Sequence, residues 1–351
     1  MTEQRIAASY TRMPHYQVYY WQGLAAHCRV SVTGGPWWYR VMPMPDLAHD
    51  AEGLFERMKG CFGRKSTWDA RRVDQFVAEY RWSAGGRQIS FAIDAHDGKE
   101  IFAPELLERC DLYFKANKWR EEPYPDKVLP VVNGNGFLRQ RHLDKLRSMR
   151  SLARDNDVLF ISRIWGGVEH NVRLFEALAK LPCRKQLMAI FVKGVAGEQD
   201  TAAAISRLET AGVECTFDLL PVKELWQRCS SSKIVMLRAG KYLCIPWRMI
   251  DLLCMGSCIV TDSDFEPQWP EPLEAGRHYL SAGIDRPPDT SAADRKEYEK
   301  LTATITGLLA DDEQIRGMQT ASAGYFDIHA TPERVGAYIL DRLQKFVQSG
   351  S

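Results

Sequence analysis

Residues 232–262 of the sequence read SKIVMLRAGKYLCIPWRMIDLLCMGSCIVTD. Ile234–Leu237 is an apolar run that predicts a strand, and Trp247–Met255 is apolar at helical spacing. A glycine then ends the helix, and Cys258–Val260 predicts a second strand that emerges at Asp262. In a parallel α/β sheet, this unit places the loop after the first strand and Asp262 at the carboxyl ends of the strands, where open sheets bind ligands.

Alternating strands and helices extend to both sides of this stretch. The first half opens with a β-α-β pattern over 5–33, and the second half restarts with a strand over 158–162 and an amphipathic helix over 171–181. The pattern predicts an α/β protein with two doubly wound, Rossmann-like domains. We expect an N-terminal domain over 1–150 and a C-terminal domain over 151–330.

Composition narrows the classes of partner. The chain has 351 residues, is 45% hydrophobic and 26% charged, and carries a formal net charge of +1, which argues against nucleic-acid binding driven by bulk charge. We see no apolar segment of the length of a signal peptide or a membrane span, so a cytoplasmic protein is expected. The basic segment over 137–154 is open to two interpretations, a solvated helix face or a peripheral contact with the inner face of a membrane.

A cluster of titratable residues follows a strand in the first half. Helical spacing over Val73–Tyr80 predicts a helix, and the next strand runs into IDAHDGKE, which contains Asp94, His96 and Asp97. Two carboxylates beside an imidazole are a reasonable general-base group, because a neighbouring anion raises the basicity of histidine. The alternative is a helix N-cap at Asp97 with exposed polar neighbours. His15, in the first βα loop, is a further candidate for ligand contact.

Four segments of the second half resemble the donor-binding domain of GT-B glycosyltransferases (glycosyl transferases group 1), in the same order. They are VLFISRIWGGVEHNVRLFEALAKLP, PVKELWQRCSSSKIVMLRAG, IPWRMIDLLCMGSCIVTD and, in the tail, FDIHATPERVGAYIL. The resemblance implies two domains that face each other across a cleft. It also implies that the last helix, over 331–351, crosses back onto the N-terminal domain.

The resemblance also implies roles for individual residues. Asp251 stands at the acidic position of the signature and is expected to bind the ribose of a nucleotide sugar. The diphosphate needs cations and backbone amides. For it we expect residues of the glycine loop and the donor loop, with two further arginines as substitutes, namely Arg163, Gly166, Lys241, Arg238 and Arg248.

The predicted function is transfer of a sugar from a nucleotide-sugar donor, with UDP-sugars favoured, to a hydroxyl of a glycan or glycolipid in surface polysaccharide biosynthesis. No DxD-like motif stands in the expected loops, so we predict neither a metal nor a cofactor. Retaining members often carry two glutamates at the positions of Leu243 and Asp251, so the stereochemistry stays open. The alternatives are a sugar-nucleotide epimerase and a non-catalytic nucleotide-sugar-binding protein; a dehydrogenase is disfavoured because no GxGxxG follows the first strand.

Overall fold

The computed structural model describes residues 4–9, 15–33, 76–136, 138–164, 168–192, 197–287 and 291–349. The chain divides into two compact units. Unit 1 comprises residues 1–143, 268–271 and 328–351, and unit 2 comprises residues 144–267 and 272–327. Within the described ranges, no helix combines the length and the apolar character that a membrane span requires.

Strands and helices alternate along the chain. Up to residue 151 they are β1 (Arg5–Ser9), a 3-10 turn (His15–Gln17), α1 (Val18–Ala25), β2 (Arg29–Thr33), β3 (Val77–Ala84), β4 (Arg87–Asp94), α2 (Pro104–Arg109), β5 (Leu112–Lys115), β6 (Lys118–Trp119), β7 (Val128–Pro130), α3 (Gln140–Ser148) and a second 3-10 turn (Met149–Ser151). From residue 156 they are β8 (Asn156–Ile164), α4 (Val168–Ala179), β9 (Lys185–Phe191), α5 (Glu198–Thr210), β10 (Glu214–Thr216), α6 (Val222–Ser230), β11 (Ser232–Leu237), α7 (Met249–Cys254), β12 (Cys258–Thr261), β13 (Pro267–Gln268), β14 (Leu280–Ser281), α8 (Arg295–Leu309), α9 (Asp312–Tyr325), a π-helical turn (Phe326–Ala330) and α10 (Pro332–Ser349).

The sheet of unit 1 has the order β2-β1-β3-β4-β5-β7. Its strands are parallel except β3, which runs antiparallel to both of its neighbours. β3 and β4 form a hairpin closed by Gly85 and Gly86, whose φ angles are 57° and 79°, values that glycine adopts without steric cost. The helix predicted over Val73–Tyr80 is therefore wrong at residues 77–80. Val77 and Tyr80 are both buried and their spacing of three mimics a helix, but they lie on a strand that pairs with neighbours on both sides.

The C-terminal helix α10 packs against α1 within unit 1. Gly23 of α1 and Gly336 of α10 bring the two backbones together, since a Cβ atom at either position would overlap backbone atoms of the other helix. Tyr19 of α1 also donates a hydrogen bond to the carbonyl oxygen of Ala330, just before α10 begins. The last helix of the chain thus belongs to the N-terminal unit, as the fold class predicted.

The sheet of unit 2 has the order β10-β9-β8-β11-β12-β14, and all its neighbouring pairs are parallel. Counted along the chain, this is the doubly wound order 3-2-1-4-5-6 of nucleotide-binding sheets. The buried side chains of Val158, Phe160, Ile234 and Met236 point into one continuous apolar core. The α/β, doubly wound fold class predicted from the sequence is confirmed.

The stretch from 232 to 262 folds as strand, loop, helix and strand. α7 is shorter than predicted because its first residues form a tighter turn, in which the N–H groups of Met249 and Ile250 bond to the carbonyls three residues earlier. Gly256 follows with φ 60°, the left-handed conformation in which many helices end. The predicted role of this glycine is confirmed.

Within the basic segment predicted over 137–154, residues 140–151 form α3 and the turn after it. Arg147 and Arg150 both form ion pairs with Asp327, at 3.1 Å and 2.7 Å, and Arg154 donates to the carbonyl oxygen of Gly256 at 2.9 Å. These three arginines are therefore bound within the protein and do not favour a membrane-facing role. Peripheral membrane contact through this segment stays a prediction.

Candidate functional site

The sheet of unit 2 changes its direction of winding between β8 and β11. Ligands of open parallel sheets bind at the carboxyl ends of the strands at this switch point. β8 ends at Ile164 and β11 ends at Leu237. Arg238 and the loop that follows it therefore lie where this fold prepares a ligand site.

Buried polar side chains hold the start of this loop. Asp262, which follows β12, is fully buried, and its Oδ1 accepts a hydrogen bond of 2.7 Å from the N–H of Ala239. Its Oδ2 accepts from His170 Nε2 at 2.9 Å and from Arg286 Nε at 3.2 Å. Arg286 also donates through Nη2 to the carbonyl oxygens of Ala239 and Gly240. Asp262 and Arg286 thus fix the backbone that immediately follows Arg238.

The protonation states of these buried polar side chains follow from their burial and their hydrogen bonds. Burial lowers the pKa of His170, and the hydrogen bond with Asp262 only partly opposes this effect. Burial by itself would raise the pKa of Asp262, but the hydrogen bond from His170 and the charge of Arg286 lower it overall. His170 is therefore neutral, donates from Nε2 to Asp262 and accepts at Nδ1 from the hydroxyl of Tyr298 at 2.7 Å.

Arg238 adds a second cation beside this carboxylate. Its Nη1 is buried and has no hydrogen-bond partner among the described residues. Burial lowers the pKa of Arg238, and the charge of Asp262 opposes this while that of Arg286 reinforces it; a guanidinium nevertheless stays protonated in proteins. Arg286 forms the ion pair with Asp262, so Arg238 adds a second positive charge near this carboxylate and a donor without a described acceptor. An anionic oxygen ligand would satisfy both.

The other residues predicted for the diphosphate differ in their placement. Arg163 is half-buried near the end of β8, on the strand next to β11. Arg248 donates through Nη1 to the carbonyl oxygen of Ile161 at 3.0 Å, so part of its hydrogen-bonding capacity is used by the protein. Lys241 is exposed in the loop after β11. Gly166 lies outside the described residues.

Asp251 lies in α7, and only 3% of its surface is exposed. Its Oδ2 accepts a hydrogen bond of 2.9 Å from the indole Nε1 of Trp226, which is also buried. A carboxylate in this apolar helix thus has a structural partner. Binding of a ribose by Asp251 stays a prediction, since a ribose would have to reach a carboxylate packed against an indole.

Asp94 ends β4 in unit 1 and is fully buried. It accepts hydrogen bonds from the Tyr113 hydroxyl at 2.9 Å, from the N–H groups of His96 and Phe102, and from Lys115 Nζ at 3.4 Å. These contacts hold Asp94 within the fold and leave its side chain buried. A catalytic role for Asp94 stays a prediction.

His96 is half-buried, and its ring stacks on Phe102 with centroids 4.0 Å apart. Its Nδ1 accepts a hydrogen bond from the N–H of Gly98 at 3.1 Å, so the neutral ring carries its proton on Nε2 and is a donor there. Burial lowers the pKa of His96, and the charge of Asp94 opposes this only in part. A neighbouring carboxylate does raise the basicity of this histidine, as expected, but burial outweighs the effect and the pKa is lowered overall.

Asp97 is the exposed carboxylate of this cluster, and its Oδ1 lies 3.4 Å from Asn117 Nδ2. The helix N-cap considered for Asp97 is wrong, because the next helix, α2, is preceded by Ala103. A general-base role for Asp97 stays a prediction. His15 begins the 3-10 turn before α1, and its side chain lies outside the described residues.

Sequence reasoning missed most of the buried polar residues that are hydrogen-bonded to Asp262 and to one another. His170 could have been suspected, since an imidazole in an otherwise apolar helix needs a polar partner. Arg286 and Tyr298 carry no comparable signal, because their roles depend on contacts with residues distant in the sequence. In the part of the chain that the structure describes, no three His, Cys, Asp or Glu side chains form a group that could hold a metal ion.

Comparisons with known proteins find similarity in structure and not in sequence. No protein-family model matches the chain, and no curated protein matches it significantly. The structure is similar to Anabaena HepE in complex with UDP, with a TM-score of 0.47 and 14% identity over 70% of this chain and 66% of that chain.

Two further solved structures are similar to this protein. Sucrose-phosphate synthase from Thermosynechococcus elongatus has a TM-score of 0.48 and 15% identity over 71% of this chain and 61% of its own. A glycosyltransferase from Rickettsia africae has a TM-score of 0.48 and 11% identity over 95% and 94% of the two chains. The chain thus covers slightly less than two thirds of the HepE and synthase structures.

Proposed function

We propose that the protein is a glycosyltransferase that transfers a sugar from a nucleotide-sugar donor to a hydroxyl group of a glycan or glycolipid, in surface polysaccharide biosynthesis. The observation that carries the proposal is the buried Nη1 of Arg238, without a partner among the described residues, at the switch point of a doubly wound sheet. A diphosphate supplies the anionic oxygens that this guanidinium lacks. The donor therefore binds to unit 2, with its diphosphate at Arg238.

The reaction follows from the chemistry of such a donor. The oxygen of the acceptor hydroxyl attacks the anomeric carbon, and the bond from that carbon to the diphosphate oxygen breaks, with its electron pair leaving on the nucleoside diphosphate. Arg238 stabilises the charge that develops on the leaving group. The hydroxyl proton goes to a general base, for which Asp97 is our candidate because its carboxylate is exposed.

The first experiment is a thermal-shift titration of the full chain with UDP-, GDP-, TDP- and CMP-sugars and with the free nucleotides, starting with UDP-sugars. The test variant is Arg238→Met, which keeps much of the side-chain length but removes the charge. The control variant is Arg277→Met, since Arg277 is an exposed arginine of the same unit that pairs with Glu274 three residues away.

One nucleotide diphosphate family should raise the melting temperature of the wild type and of Arg277→Met, with little effect on Arg238→Met. The free Arg238→Met protein should be no less stable than the wild type, because the substitution removes a buried donor that has no described acceptor. Equal nucleotide binding by Arg238→Met and the wild type would contradict the proposal. A radiolabelled donor then separates transfer to an acceptor from epimerisation of the donor sugar and from binding without turnover.

A further inference from the structure

Asn117 occupies an unusual position in unit 1. It follows β5 at the carboxyl edge of the sheet and is fully buried. Its amide nitrogen Nδ2 points to Asp97 Oδ1, and this orientation is dictated by chemistry because an ionised carboxylate can only accept. The amide oxygen Oδ1 is therefore turned away from Asp97. It is buried and has no hydrogen-bond partner among the described residues.

A second polar atom without a partner lies two residues further along the chain. Trp119 is on β6, and its indole Nε1 is buried and likewise has no hydrogen-bond partner within the described ranges. The ring is held in place, since the ammonium of Lys99 lies 5.7 Å from its centroid and is itself paired with Glu122 at 3.1 Å. The indole is thus positioned, but its N–H is unused.

The two atoms have opposite hydrogen-bonding requirements. Asn117 Oδ1 needs a donor and Trp119 Nε1 needs an acceptor. A phosphate or carboxylate would satisfy only the indole and would be repelled by Asp97, and a cation would satisfy only the amide oxygen. A neutral hydroxyl group can both donate and accept. Buried polar groups without partners destabilise a fold unless a ligand supplies the missing hydrogen bonds.

We propose that Asn117 Oδ1 and Trp119 Nε1 bind the hydroxyl groups of a neutral saccharide at this edge of the unit 1 sheet. One hydroxyl donates to Asn117, and one accepts from Trp119. Asp97 fixes the amide of Asn117 in the orientation that leaves Oδ1 for the saccharide. The saccharide is the acceptor of the proposed transfer, so the inference rests on the proposed function for its biological meaning.

The test uses the folded full chain, fluorescently labelled, on an array of immobilised neutral and anionic oligosaccharides. Trp119→Phe removes the indole N–H and keeps an aromatic ring, and Asn117→Leu removes the amide at similar volume. The matched control is Trp82→Phe, since Trp82 is a buried tryptophan of the same unit whose Nε1 has a partner, Gln4 Oε1 at 3.4 Å. Melting temperatures and the shift produced by UDP are measured on the same preparations.

We expect neutral glycans to be retained by the wild type and by Trp82→Phe, and binding to weaken by about fivefold or more in Trp119→Phe, as for the loss of one hydrogen bond. The free Trp119→Phe protein should melt no lower than the wild type, whereas Trp82→Phe should melt lower. Unchanged glycan binding by Trp119→Phe and Asn117→Leu, retention of anionic glycans only, or no retention by the folded wild type would each overturn the inference. The UDP shift is an independent result, so failure of the donor site and failure of this saccharide site are distinguishable.

Discussion

Substitution of Asp262 by asparagine tests most directly the buried hydrogen bonds that hold the loop after β11. Every described partner of the carboxylate is a donor, namely the Ala239 N–H, His170 Nε2 and Arg286 Nε. An asparagine amide has one accepting oxygen and an NH₂ group that can only donate. In any orientation, the NH₂ group of Asp262→Asn would meet at least one of these donors. The change also leaves Arg286 without its ion-pair partner.

The magnitude follows from the burial of the group. Asp262 and Arg286 have fully buried side chains, and removing one partner of a buried ion pair costs about 3–5 kcal/mol. The control is Asp157→Asn, because Asp157 pairs with Lys233 at 2.8 Å while the two side chains are 24% and 40% exposed. An exposed pair of this kind contributes at most about 1 kcal/mol. Asp262→Asn should therefore lower the free energy of unfolding by at least about 2 kcal/mol more than Asp157→Asn.

The assay is urea unfolding followed by both far-UV circular dichroism and tryptophan fluorescence, since coincidence of the two transitions tests two-state behaviour in a chain of two units. Hydrogen exchange gives a local reading. Peptides that contain Ala239 and Gly240 should exchange faster in Asp262→Asn than in the wild type. In Asp157→Asn their exchange rate should be unchanged. If the two variants unfold within about 1 kcal/mol of each other, the carboxylate does not hold the loop and the reasoning is refuted.

The remaining predictions concern pH and backbone conformation. The pKa of His170 is lowered in the folded protein, so the neutral imidazole stabilises the fold fully when the pH is above the unfolded pKa of about 6.5. As the pH falls below that value, this stability is lost by up to about 1.4 kcal/mol per pH unit. His170→Gln should remove that part of the slope in urea titrations between pH 7 and pH 5, and an unchanged slope would contradict the neutral state. Gly256→Ala should destabilise the protein by about 1 kcal/mol, because its φ is 60°, whereas Gly307→Ala in α8, where a Cβ meets nothing within 4 Å, should stabilise it by about 0.5–1 kcal/mol. If Gly256→Ala and Gly307→Ala shift the melting temperature in the same direction, this account of Gly256 is contradicted.

The alternation of elements in unit 2 could be predicted from the sequence alone. The apolar runs that became β8, β11 and β12 are buried on both faces, so their signal is continuous and local. Gly256 could be assigned as a helix end because the conformation it adopts depends only on its own backbone. In unit 1 the same reasoning gave a helix for Val77–Tyr80. Residues three apart are buried on one face of a helix, but also on the two faces of a strand such as β3.

The candidate sites depended on tertiary structure. Asp94 was predicted as a member of a general-base group, and Asp251 was predicted to bind a ribose from its place in the signature. Their partners, Tyr113 and Trp226, lie 19 and 25 residues away in the sequence. Arg238 gained its role as the primary candidate in the same way, because only the folded chain leaves its Nη1 buried without a described acceptor. Sequence patterns thus predicted which loops lie at the carboxyl edge of the sheet, while the desolvation and pairing that decide the state of each charged side chain arise from contacts distant in the sequence.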